Sequence, residues 1–159
     1  GTCIDGGTGS EPKAKEAAMF LYDPATGKTV WTASPLSGAR AYQGSSVTSD
    51  GKILIIGRAE KNYRFYLFDP VKREIVKDEE LPGQYDTWIF AEKKPVGPDG
   101  NNYFLARGAL FEYSAKTGKL TRLFEHPSLK VTGYTAVASD GCLYYLNECR
   151  LYRVRLFQP

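Results

Sequence analysis

The side chains best suited to ligand chemistry occupy a few segments of this 159-residue sequence. Arginine pairs bidentately with carboxylates and sulfates, aromatic rings stack on sugars, and histidine exchanges a proton near neutral pH. The ligand-binding candidates are Arg40, Tyr42, Arg58, Asp86, Trp88, Arg107 and Lys130, and the acid–base candidates are His126 and Tyr134. These residue types favour binding of a carbohydrate or another polar small molecule.

Metal and cofactor chemistry has little support in the sequence. The three cysteines form no CxxC pair, and His126 is the only histidine, whereas zinc sites need grouped cysteine and histidine ligands. The stretch Gly6-Gly7-Thr8-Gly9 lacks both the strand–loop–helix context and the Gly-Lys ending of a phosphate-binding loop. We therefore predict no metal and no cofactor.

The cysteines also give little reason to expect a disulfide bond. If Asn147 and Glu148 form a two-residue turn, Cys142 lies opposite Arg153 and Leu146 lies opposite Cys149. The two sulfurs would then not face each other, as a disulfide requires. This pattern leaves the compartment open and is compatible with a secreted or a periplasmic protein.

Charge and hydropathy argue against two classes of partner. The chain carries 21 Lys and Arg against 18 Asp and Glu, and the resulting charge of +3 is scattered rather than concentrated in one basic segment. The longest apolar stretches, such as Ile53 to Ile56, are far shorter than the roughly 20 residues that span a bilayer. We expect neither nucleic acid nor a membrane as a partner.

Two turn motifs recur along the chain and must position the candidate side chains. The first occupies 22–28, 68–74 and 113–119, and its key residues Asp23, Asp69 and Ser114 are 46 and 45 positions apart. The second is Asp-Gly at 50–51, 99–100 and 140–141, with spacings of 49 and 41. Interleaved motifs with a shared period of 40 to 50 residues indicate a structural repeat.

Each repeat predicts four short antiparallel strands, named a to d in chain order. Asp-Gly allows the positive φ angles of the a→b hairpin, and the Asp-Pro or Thr-Gly-Lys turn closes the c→d hairpin. Four strands per repeat are typical of a β-propeller blade, whereas a β-sandwich would not repeat two turns in phase. We predict an all-β chain with blade segments at 1–36, 40–81, 86–125 and 132–157. The only helix candidate is Glu11 to Met19, and a polar excursion explains this stretch equally well.

The motif-bearing stretches Leu21 to Val30 and Val47 to Leu54 resemble the broad propeller superfamily that includes SMP-30/gluconolactonase-like, NHL, YVTN and quinoprotein-like repeats. Gly-His and Trp-Asp pairs of WD40 repeats and the Gly-Gly strand of kelch repeats are absent. The resemblance implies a fold and no particular activity.

The phase of the repeat predicts an incomplete ring of three to four blades. The chain opens like the end of a strand b and closes like a strand c at Leu151 to Leu156. We expect it to be part of a larger propeller of six to eight blades, completed by the remainder of the propeller or by another chain, because an open ring leaves edges and faces exposed. A self-contained four-bladed ring is the alternative.

In a propeller, the d→a segments and the b→c hairpins share one face, and the candidate residues fall in those segments. We therefore predict that this face binds the ligand, with Arg40, Arg58 and Arg107 contributing one arginine per blade to a cationic ring. Solubility or ion pairing between blades explains these arginines equally well. An enzyme, either a polysaccharide lyase or a lactone or ester hydrolase, and a protein-interaction scaffold are the rival functions.

The same blade prediction specifies a core. Aliphatic residues on these strands have no other interior to enter, so the sequence predicts that the following are buried between blade sheets: Val30, Ile53, Ile55, Leu67 and Leu143.

Overall fold

A computed structural model describes residues 1–4, 11–60, 62–84, 95–129 and 135–157. These ranges form twelve β-strands and one short 3-10 helix at Pro127–Leu129. The helix candidate from Glu11 to Met19 is not a helix, because residues 11–18 are irregular and β1 begins at Met19. The strands are β1 Met19–Asp23, β2 Lys28–Ala33, β3 Ala41–Val47, β4 Ile53–Arg58, β5 Tyr63–Asp69, β6 Glu74–Glu80, β7 Asn102–Ala106, β8 Ala109–Ser114, β9 Lys119–Glu125, β10 Thr135–Val137, β11 Cys142–Asn147 and β12 Arg150–Arg155.

The strands form four small sheets, which confirms the all-β prediction. Their orders are β1-β2, β3-β4-β5-β6, β7-β8-β9 and β10-β11-β12. The pairings with a described register are antiparallel. In the third sheet, the position of strand a is occupied by a single bridge between Val96 and Asn102. The predicted blade boundaries stay a prediction, because two of them fall near residues 85–94 and 130–134, outside the described ranges.

The c→d turns reverse the chain through residues with left-handed backbone conformation. In the β1–β2 turn, a carboxylate oxygen of Asp23 accepts the Ala25 N–H, and Gly27 has φ of 68°. Gly118 has φ of 67° in the β8–β9 turn. Arg73 occupies the corresponding position of the β5–β6 turn with φ of 58°, although a Cβ atom disfavours this region. Among these three c→d turns, the β5–β6 turn is therefore the strained one.

The a→b turns use Asp-Gly as the sequence predicts. Gly51, Gly100 and Gly141 have φ of 81°, 80° and 76°. The preceding aspartates accept local hydrogen bonds, such as the Cys142 N–H to Asp140 Oδ1 at 3.0 Å. These hydrogen bonds confirm that the aspartates stabilise the predicted a→b turns.

A β-bulge in each c–d pair changes the predicted core. Val30, Val76 and Leu123 are the extra residues on the outer strands, where the register shifts. A bulge leaves its extra residue without a cross-strand partner and twists it away from the sheet face. The prediction that Val30 is buried is therefore wrong, since it is half-buried.

Of the four remaining residues predicted to be buried, two are buried and two are half-buried. Leu67 and Leu143 are buried as predicted. Ile53 and Ile55 are half-buried, because β4 directs Leu54 and Ile56, rather than its odd-numbered residues, into the fully buried positions.

The β11–β12 hairpin differs from its predicted register. Asn147 pairs with Arg150, so the two turn residues are Glu148 and Cys149, and Cys142 pairs with Arg155. Glu148 takes the left-handed position, with φ of 53°, in place of a glycine. The cysteines at 3, 142 and 149 form no disulfide among the described residues, and Cys142 is buried.

The chain divides into two compact units, each with its own core. Unit 1 comprises Gly1–Gln43 and Ile53–Leu81, and unit 2 comprises Gly44–Lys52 and Pro82–Pro159. In unit 1, Met19, Leu36, Tyr42 and Tyr66 pack together, with Trp31 partly buried against them. In unit 2, the third and fourth sheets supply the core residues Tyr103, Leu105, Leu110, Leu143 and Tyr145, and the 3-10 helix supplies Leu129.

The strained turn yields a stability prediction. We expect Arg73→Gly to raise the free energy of unfolding by about 0.5–1 kcal/mol, because relief of left-handed strain exceeds the added chain entropy of glycine. Urea unfolding measures the change. Arg73→Ala is the matched control. It removes the same charge but keeps the Cβ atom and the backbone strain, so its free energy of unfolding should not rise. Equal stability of the Gly and Ala variants would contradict the assigned backbone conformation.

The a→b turns predict a pH dependence. Hydrogen bonds from the Tyr144 hydroxyl and the Cys142 N–H hold the pKa of Asp140 below its ordinary value. A depressed folded-state pKa stabilises the fold above the unfolded pKa of about 3.9, and this contribution disappears as the pH falls through the folded pKa.

We therefore expect Asp140→Asn to destabilise the protein at pH 7 and to approach the wild type below about pH 3. Denaturant titrations at both pH values measure the difference between the two proteins. A stability difference that does not change with pH would show that the Asp140 carboxylate charge contributes nothing.

Candidate functional site

The b→c turn of the third sheet holds a charged residue in a strained conformation. Arg107 and Gly108 form the two-residue turn between β7 and β8, with φ of 52° and 81°. Two consecutive left-handed residues define the tight hairpin whose twist matches the strands, and glycine or asparagine is the usual choice for the first position. Arg107 is half-buried there.

Two d→a segments lie against this turn within unit 2. A Cβ atom added to Gly83, which follows β6, would lie 2.4 Å from Arg107 Cβ and 2.8 Å from its carbonyl oxygen. Only glycine fits this close backbone approach. On leaving β9, the His126 N–H donates to the Gly108 carbonyl at 3.1 Å. The structure therefore brings the predicted Arg107 and His126 positions together.

His126 begins a hydrogen-bond network. Its Nδ1 accepts the Ser128 N–H at 3.1 Å and lies 2.7 Å from Ser128 Oγ. Because Nδ1 accepts the backbone donor, the neutral ring carries its proton on Nε2. His126 is exposed, so Nε2–H is a donor available at the surface.

The network continues into the fourth sheet. Ser128 Oγ lies 3.0 Å from the Tyr145 hydroxyl, and Asn147 Nδ2 donates to the Ser128 carbonyl at 2.9 Å. Tyr145 is buried and stacks on Tyr152, with ring centroids 5.3 Å apart. These contacts fix the segment after β9 against the b→c end of β11. We call Arg107, Gly108, His126, Ser128 and Asn147 the unit 2 site.

The corresponding residues of unit 1 are adjacent through the backbone. The Arg40 N–H donates to the Arg58 carbonyl at 2.7 Å, and Arg40 is exposed. Arg58 is only 7% exposed. Its side chain is therefore buried rather than open to solvent, and its role in a cationic ring stays a prediction.

Tyr42 is also buried, although it was predicted to face a ligand. It is 4% exposed, its ring lies 6.1 Å from that of Tyr66, and its hydroxyl accepts the Leu36 N–H at 2.9 Å. Burial raises the pKa of Tyr42. The strand β3 directs this side chain into the core, where Gly57 leaves room for it. Its residue type suggested sugar stacking, whereas the structure shows it packed in the core, and the binding role stays a prediction.

Four predicted site residues lie outside the described residues: Asp86, Trp88, Lys130 and Tyr134. The glycine-rich stretch at 6–9 does so as well. Their roles stay predictions.

Sequence reasoning missed a polar cluster at an a→b turn. The Tyr103 hydroxyl donates to Asp99 Oδ2 at 2.8 Å and contacts Glu112 Oε1 at 3.1 Å, and Asn101 Nδ2 donates to both carboxylates. Burial, followed by these carboxylates, raises the pKa of Tyr103. The signal was an Asp-Gly turn with tyrosine four residues after the aspartate, and it recurs as Asp140 and Tyr144. The cluster stabilises the turn.

Two further properties concern the described residues alone. They contain no group of three or more His, Cys, Asp or Glu side chains placed to hold a metal ion. Among them, no helix has the length and apolar character needed to cross a membrane.

Comparison with known proteins defines the fold class. No family model matches the chain, and no curated protein matches it. A solved structure of streptogramin B lyase superimposes on it with a TM-score of 0.50 and 17% identity, covering 88% of this chain and 45% of the lyase chain. The chain thus has a β-propeller fold and spans less than half the length of that protein. At this identity, the match concerns the fold alone.

The site network yields a prediction for a double-mutant cycle. We expect Ser128→Ala and Tyr145→Phe each to destabilise the chain, with a coupling energy of about 0.5–1.5 kcal/mol, because the hydroxyls share one hydrogen bond. Urea unfolding of the wild type, both single variants and the double variant gives this coupling energy. Thr117→Ala, in the c→d turn of the third sheet, is the control partner and should be additive with Tyr145→Phe. Additivity of the Ser128 and Tyr145 variants would disprove the hydrogen bond.

Proposed function

We propose that this chain is part of a β-propeller that binds a carbohydrate or another polar small molecule on the face formed by its b→c turns and d→a segments. The observation that carries the proposal is the unit 2 site, where the Arg107–Gly108 turn, His126 and Ser128 meet. Polar groups that converge from different loops on a rigid scaffold are typical of small-molecule sites.

The chemistry of the site favours a ligand with acceptor oxygens. The Nε2–H of His126 donates, and arginine only donates. A carboxylate, as on a uronate sugar, satisfies both groups through charge-assisted hydrogen bonds. The strained Arg107 backbone supports the same proposal, because left-handed non-glycine residues persist where their position serves a function.

Catalysis is the second candidate, and one contact favours it. Ser128 Oγ lies 2.7 Å from His126 Nδ1, within reach for a nucleophile and its base. Two features weaken a hydrolase or lyase role. Nδ1 is already engaged by the Ser128 N–H, and as a base for substrate Nε2 would have to give up its proton. Ligand binding, in contrast, requires no change in the hydrogen bonds or the protonation of His126, and it therefore fits the observed geometry better.

Isothermal titration with uronate-bearing and neutral oligosaccharides tests the proposal. We expect the uronate oligosaccharide to bind more tightly. Arg107→Ala should weaken that binding about ten- to hundredfold, because a charge-assisted contact is lost. Arg73→Ala is the matched control, since Arg73 is also a left-handed arginine but lies in a c→d turn. It should leave the affinity unchanged.

Two outcomes would decide against binding at this site. Equal affinities of the wild type and Arg107→Ala for the uronate oligosaccharide would show that Arg107 does not contact the ligand. Failure of both sugar classes to bind would favour a protein-interaction scaffold. Hydrolysis of an ester or lactone that is lost in Ser128→Ala would instead establish the catalytic alternative.

A further inference from the structure

The first residue of β12 lies beside the unit 2 site. β11 pairs antiparallel with β12, and Asn147 lies directly opposite Arg150. Tyr145 and Asn147 both contact Ser128, the first through its hydroxyl at 3.0 Å and the second through its carbonyl at 2.9 Å. Directly opposed residues of an antiparallel pair project from the same face of the sheet. Arg150 therefore projects from the face of the fourth sheet that contacts the segment 126–128.

An aromatic stack fixes this end of β12. Tyr145 and Tyr152 lie opposite each other, and their rings stack with centroids 5.3 Å apart and planes inclined by 11°. Tyr152 also packs against the core of unit 2. Arg150 is two residues from this stack on the same strand. It is therefore presented by a rigid element, which positions a binding group more precisely than a loop does.

The Arg150 guanidinium is open to a ligand. Arg150 is exposed, and among the described residues it forms no ion pair. The two acidic residues next to the site in sequence do not neutralise it. Glu125 pairs with Arg122 at 2.5 Å, and Glu148 forms no ion pair within the part of the chain that the structure describes. Arginine offers five N–H donors in a planar fork that matches a carboxylate.

Arg150 and the Arg107–Gly108 turn are connected through one short segment. The carbonyl of that turn accepts the His126 N–H at 3.1 Å. Asn147, the residue opposite Arg150, donates to the Ser128 carbonyl at 2.9 Å. From His126 to Ser128 the chain advances two residues, which span at most about 7 Å. The unit 2 site therefore has one arginine on a turn of the third sheet and a second on the fourth sheet nearby.

We propose that Arg150 is a second anion-binding residue of the unit 2 site and that the ligand carries two anionic groups, one for each arginine. This inference rests on the proposed function and specifies its ligand class, an oligosaccharide with carboxylates on neighbouring sugar units. Each carboxylate accepts two parallel charge-assisted hydrogen bonds from one guanidinium, and a sugar oxygen accepts the Nε2–H of His126. A sugar with one carboxylate leaves one arginine without a partner.

Isothermal titration of the 159-residue chain tests the second anion. The probes are a diuronate disaccharide, its two monoacid derivatives with one carboxylate reduced to a hydroxymethyl group, and the fully reduced sugar. We expect the diuronate to bind about ten- to hundredfold more tightly than either monoacid, because each monoacid loses one charge-assisted contact. Arg150→Ala should bind the diuronate and one of the two monoacids with equal affinity.

Arg153→Ala is the matched control. It removes the same charge from the same strand, but Arg153 lies opposite Tyr144 and projects from the other face of the sheet. This variant should keep the full preference for the diuronate. If Arg150→Ala fails to fold, Arg150→Gln takes its place, because glutamine removes the charge and keeps part of the aliphatic stem.

The possible failures are distinguishable. Equal affinities of the wild type for the diuronate and both monoacids, with weaker binding of the fully reduced sugar, would overturn the two-anion inference and leave the proposed function in place. An undiminished diuronate preference in both Arg150 variants would show that Arg150 does not hold the second carboxylate. Failure of all four sugars to bind would contradict the proposed function and, with it, this inference.

Discussion

All four sheets depend on one backbone constraint. Between paired strands the chain must reverse direction within two to four residues, and this requires a residue with left-handed backbone conformation. Glycine adopts this conformation without the steric cost that a Cβ atom brings. Gly51, Gly100 and Gly141 meet the constraint in the a→b turns, and Gly27 and Gly118 meet it in the c→d turns. Because these turns set the strand register, they also determine which side chains face the cores and which reach the loops.

The same constraint distinguishes the two sides of the sheets. The a→b and c→d turns mostly use glycine and are stabilised by aspartate, as in the Asp99 cluster. The b→c turns place Arg107 and Glu148 at left-handed positions instead. Two b→c turns therefore reverse the chain at a charged residue, as the β5–β6 turn does at Arg73. The network from His126 to Tyr145 lies beside these turns.

Much of the fold could be predicted, because turn chemistry and strand alternation are local properties. The β11–β12 register could not be predicted, since no glycine marks its turn and Glu148 takes the left-handed position. The prediction that Val30 is buried failed because the bulge at Val30 arises only when β2 pairs with β1, which the sequence of β2 alone does not show. For the site, sequence placed Arg107 and His126 in loops of one face. It could not distinguish Tyr42, a core residue, from a ligand-stacking ring, because both have the same chemistry and differ only in packing.

Nuclear Overhauser spectroscopy of the labelled chain tests most directly whether the b→c turns and d→a segments converge. The contact of Gly83 with Arg107 and the 3.1 Å bond from His126 to Gly108 place their protons within range of a cross-peak. We expect cross-peaks from the Gly83 α-protons to Arg107, and from the amide proton of His126 to the α-protons of Gly108. Their absence, in a spectrum that retains the cross-strand peaks of β7 and β8, would contradict the assembly of the unit 2 site.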